Sequence, residues 1–191
     1  MTDDYDWQDD AKKNWELAIE HKRQELERNK AARAWSDQFI PQIIQIVGPH
    51  LLVPATFEQD TQQATDLVTL RAQGISIACR MRKPGYLPKF ANDFTIRSNP
   101  AKHEGTELDK IERGYADWMF YGHASSIHTP EGVPRIGLWH LLDLSVFRDW
   151  WLNNPGVIVR GSKTNDNGAT HFTWFNIQSF PPEFVIAKSE D

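Results

Sequence analysis

One cysteine stands among 191 residues. No intrachain disulfide and no zinc site with several cysteine ligands can form. That residue, Cys79, sits in a strand-like apolar stretch and reads as a small buried hydrophobe. No apolar run is long enough to cross a bilayer and no leader-like segment is visible, so a cytoplasmic protein with no membrane partner is expected. There is no Gly-rich phosphate loop, no Gly-x-Ser-x-Gly elbow and no His-x-x-x-His spacing. These absences remove the P-loop, the α/β-hydrolase nucleophile and a helical histidine metal pair. His123, His128 and His140 keep no ligand spacing. Positive charge is also short: 21 Lys and Arg face 26 Asp and Glu, a net charge of −5. A coat holding nucleic acid by charge alone is excluded. The acids gather at the ends, from Asp3 to Asp10 and at Glu190-Asp191, which leaves the middle near neutral.

What is present is a globular composition, 40% hydrophobic and 25% charged, with eight tryptophans suited to a core or an interface. The reading gives a polar helical extension over residues 1–33 and one domain over 34–191. Asp9 to Lys30 favours helix, with a thin stripe of Trp15, Ala18, Ile19 and Leu26. It is expected to pack on the domain edge or on a second copy, giving a homodimer through this helix. Ala31 to Val47 reads as a second, more apolar helix. Pro41 starts a fresh turn inside it, and Gly48-Pro49 ends it.

Further on, Thr65–Arg71 and Ile75–Arg82 read as a hairpin around Ala72-Gln73-Gly74. In that register Asp66 faces Arg80, and Asp66, Arg80 and Arg82 share one face. Asp93–Ser98 reads as a strand. Thr106 caps a helix through Tyr115, and that helix carries Glu107 and Lys110. Ala116–Ala124 reads as a buried aromatic strand, Ile136–Leu141 as a strand and Leu142–Leu152 as a helix. Val157–Arg160 and Thr170–Asn176 read as a C-terminal β-hairpin around Asn167-Gly168. The fold class is α+β, a mixed central sheet flanked by helices.

Helix, three-stranded meander, helix and strand, with Asp66 opening one strand and Arg80-Met81-Arg82 on the next, resembles the restriction-endonuclease-like PD-(D/E)xK nucleases. The resemblance covers about Trp35 to Ala124. It implies a metal-dependent phosphodiesterase acting on DNA, with Mg²⁺ (or Mn²⁺) held by Asp66 and Glu107. The second carboxylate is then moved to the helix, because Arg80 stands where it usually sits. The family lysine maps to Arg82, and Arg82 and Lys110 join the two acids as catalytic residues. Arg80 and Arg97 would hold the substrate phosphate. Arginine binds no metal and gives up no proton readily. The same departures are therefore those of a catalytically inactive relative that binds nucleic acid or protein. Size and acidity suit a bacterial or phage accessory protein. A third reading is a small interaction protein that assembles through its tryptophans.

Overall fold

Pro41 decides where the first helix stops. A proline has no N–H for the carbonyl four residues back, here that of Asp37, and is well placed in the first turn of a new helix. The N-terminal stretch therefore divides into α1 (Trp7–Asp37) and α2 (Ile40–Val47). The break falls later than the sequence pattern places it, because Ala31, Ala32 and Ala34 are strong helix formers and carry α1 onward. The computed structural model describes residues 7–54, 67–69, 74–87, 89–99, 105–164 and 171–190. The chain forms two units, Met1–Ile40 and Pro41–Asp191. In the first, Trp15, Leu17, Ile19 and Leu26 are exposed along α1. No helix among the described residues is long and apolar enough to cross a membrane.

The second unit is α+β, with two main sheets flanked by helices. One sheet has the order β3 (Ile77–Arg82), β5 (Trp118–His128), β6 (Pro134–Asp143), β9 (Val185–Lys188). β3 runs parallel to β5, and the other neighbours are antiparallel. The other sheet is antiparallel, in the order β4 (Asp93–Ser98), β8 (His171–Asn176), β7 (Arg160–Thr164). A small ladder joins β1 (Leu52–Pro54) to β2 (Leu67–Thr69). The helices are α3 (Glu107–Glu112) and α4 (Leu144–Asn153). Asp143 starts α4 by accepting from the N–H groups of Ser145 at 2.7 Å and Val146 at 3.3 Å.

The expected hairpin between Thr65–Arg71 and Ile75–Arg82 is corrected. β2 pairs with β1, and β3 pairs with β5, so Arg80 faces Tyr121. Asp66 and the turn residues Ala72 and Gln73 lie outside the described residues. Two contacts explain why the distant partner wins. Asp117, just before β5, accepts the Ser76 N–H at 2.8 Å and its hydroxyl at 2.9 Å, which docks the start of β3. Farther along, the Met81 side chain lies over Gly122 and occupies the space a Cβ would take. Cys79, expected inside, is exposed. The expected C-terminal hairpin is present as β7 and β8, but it begins later, at Arg160. Its turn, Asn167-Gly168, lies outside the described residues. The stretch after Pro181-Pro182 adds β9 beside β6.

The core is phenylalanine-rich. Phe94, Phe147, Phe175 and Phe184 are fully buried, with Phe180 beside them. Phe94 stacks on Phe175 at 5.2 Å, and Phe147 meets Phe175 edge-on at 5.2 Å. Each such ring contributes about 2–3 kcal/mol by leaving water. This cluster ties β4, β8 and α4 together, and Met119 and Tyr121 of β5 join it from the other sheet.

Candidate functional site

Paired residues on neighbouring strands point to the same side of a sheet. Arg80 pairs with Tyr121 and Tyr121 with His140, while Arg82 pairs with His123. Arg80, Arg82, Tyr121, His123 and His140 therefore share one face. Tyr121, His123 and His140 are buried there. The Tyr121 hydroxyl lies 3.3 Å from the Thr95 hydroxyl of β4. This is a polar layer in contact with the apolar core.

Glu107 closes the layer from α3. It is the first residue of that helix, after the Thr106 cap, whose side chain accepts the Asp109 N–H at 3.1 Å. The Arg80 guanidinium donates to Glu107 Oε2. The main-chain N–H of Arg97 donates to the same oxygen at 2.8 Å. Both ion-pair partners are largely shielded, with side chains 19% and 28% exposed.

Of the residues expected to act together, Arg80, Glu107 and the Arg97 main chain do converge. Arg82 stands two residues along the same face of β3. Its guanidinium lies 4.4 Å over the Tyr86 ring, and its Nε is buried with no hydrogen-bond partner. Lys110 is exposed on α3, three residues beyond Glu107. Arg97 is exposed, so what it lends Glu107 is its backbone.

The fit to a divalent metal is poor among the described residues. Hard cations want several oxygen ligands. Glu107 offers one carboxylate, and one of its oxygens already accepts two donors, one of them a fixed cation. No group of three metal-ligating side chains occurs among the described residues.

In the sequence His123 and His140 count only as metal ligands, set aside for want of spacing. His123 is 1% exposed, and both of its ring nitrogens are buried without partners. Its pKa is lowered to about 4, first by burial, then by the charge of Arg82, then by His140. The signal was in the alternation of Met119, Tyr121 and His123 along one strand, which puts the histidine on the inner face. Comparisons with protein-family models, with curated proteins and with solved structures return no match.

Proposed function

We propose that the chain is a nucleic-acid-binding accessory protein, in which the carboxylate expected to hold a metal forms an internal ion pair instead. One observation carries this reading: the Glu107 carboxylate is taken up by Arg80 and the Arg97 N–H. In the expected nuclease the same carboxylate would be a metal ligand. Here it balances one guanidinium inside the protein. Arg82 has no carboxylate partner among the described residues, and Lys110 is exposed on α3. A phosphodiester supplies the missing negative charge, and arginine recognises its oxygens through paired N–H donors. Binding is then sequence-tolerant and weakens with salt.

The metal-dependent nuclease remains a second reading with one support of its own. Glu107, Arg80 and the Arg97 backbone meet, as a displaced second carboxylate beside cationic groups requires. One set of measurements separates the two. Calorimetry with Mg²⁺ should give no saturable binding. Anisotropy with labelled oligonucleotides should show salt-sensitive binding that Arg82→Gln weakens several-fold. Plasmid nicking with Mg²⁺ or Mn²⁺ should stay at background. Cleavage that disappears in both Asp66→Ala and Glu107→Gln would restore the nuclease and remove the accessory reading.

A further inference from the structure

The cations of this acidic chain are not spread evenly. From Leu67 to Asn92 the sequence has no carboxylate, yet it holds Arg71, Arg80, Arg82, Lys83 and Lys89. Within the same stretch the segment after β3 exposes two aromatic rings, Tyr86 at 40% and Phe90 at 37%. Cations and aromatics alternate along it: Arg82, Lys83, Tyr86, Lys89, Phe90.

The described residues of this segment are held by local bonds. Pro84-Gly85 makes a turn in which Gly85 has φ of 95°, a region that a side chain would strain. The Phe90 N–H then returns to the Tyr86 carbonyl at 3.2 Å, and the Asp93 N–H to the Phe90 carbonyl at 3.2 Å. These bonds hold the two rings 6.1 Å apart and leave them tilted by 44° rather than stacked on each other. Arg82 lies 4.4 Å over the Tyr86 ring, and the Lys89 ammonium lies 5.4 Å from the Phe90 ring. Each exposed ring thus has a cation over one of its faces.

From this we infer that Arg82, Tyr86, Lys89 and Phe90 form a binding surface for single-stranded nucleic acid. Unpaired bases stack on the faces of Tyr86 and Phe90 opposite these cations, and the backbone phosphates lie against Arg82 and Lys89. Every base offers a π-face, so such a platform tolerates sequence, and a duplex, whose bases are already stacked, cannot use it. The inference rests on the nucleic-acid-binding reading above and narrows its ligand to an unpaired strand.

The test is anisotropy on the full chain with fluorescein-labelled oligothymidylate of about fifteen nucleotides and with a duplex of the same length. The wild type should prefer the single strand. Tyr86→Ala and Phe90→Ala should each weaken that binding about tenfold. Tyr86→Phe, which keeps the ring, should hold the wild-type affinity. Both rings are about two-fifths exposed, so each variant should still unfold cooperatively, which a thermal melt of each checks. Equal losses on strand and duplex, or no loss on either, would overturn the single-strand surface and leave the accessory reading standing. Absence of binding to both probes at low salt would remove the accessory reading, and this surface with it.

Discussion

Arg82 and His123 face each other across the parallel ladder between β3 and β5, a fixed cation beside a histidine whose ring nitrogens are buried and unpaired. The histidine must stay neutral to remain there. It does so down to about pH 4, against an ordinary value of 6.5. In the unfolded chain it titrates near the ordinary value. Between those two values the unfolded chain binds more protons than the folded one. Stability therefore falls as pH drops through that window, and the contribution is intact above it. The size is about 3 kcal/mol. Urea unfolding at neutral pH and again between the two values should show the loss, and His123→Gln should flatten it. An unchanged slope in the variant would point to another group.

Arg80 and Glu107 should be coupled. Removing either leaves a shielded charge without its partner, at a cost of about 1–3 kcal/mol. Arg80→Met with Glu107→Gln together should cost less than the two singly added. A double-mutant cycle from urea midpoints measures that coupling. Strict additivity would mean that the pair contributes nothing.

Two glycines differ in what surrounds them. A Cβ at Gly161 would sit 2.6 Å from Trp174 Nε1, against a rigid indole. A Cβ at Gly122 would sit 2.7 Å from Met81 Sδ, near the end of a flexible side chain, though Phe120 lies at 2.9 Å. Gly161→Ala should cost about 2–3 kcal/mol and Gly122→Ala less, as read from denaturant unfolding.

The cap of α4 gives a smaller, cleaner effect. Asp143→Ala removes the acceptor for two helix N–H groups and the Ser145 hydroxyl. A loss of about 1 kcal/mol is expected by chemical denaturation. Phe147→Ala, which empties the ring cluster, should cost about 3–5 kcal/mol in the same assay.

The local signals in the sequence were readable. Alternation in Asp93–Ser98 marked β4, Thr106 marked the start of α3, and the run around Trp118–Ala124 marked most of β5. What could not be read was pairing. A stretch such as Ile77–Arg82 carries the same pattern whether its neighbour is next in sequence or beyond a helix. The Ser76–Asp117 hydrogen bonds that decide the matter span 41 positions. Glu107 and Arg80 were marked as neighbours for a metal-centred reason, and the structure joins them as an ion pair. His123 was hidden because burial on one strand face is a tertiary property. A lone histidine in an aromatic run carries no spacing to flag it.

Parallel neighbours impose one more condition. A chain that leaves β3 must travel back to the other end of the sheet before it can enter β5. Everything from Lys83 to Ala116 is that return journey, and the exposed Tyr86 and Phe90 lie on its opening stretch. Removing this route whole would take β4 and α3 with it, as well as the rings. New recognition chemistry can therefore enter here by exchange of side chains or by lengthening, but not by excision.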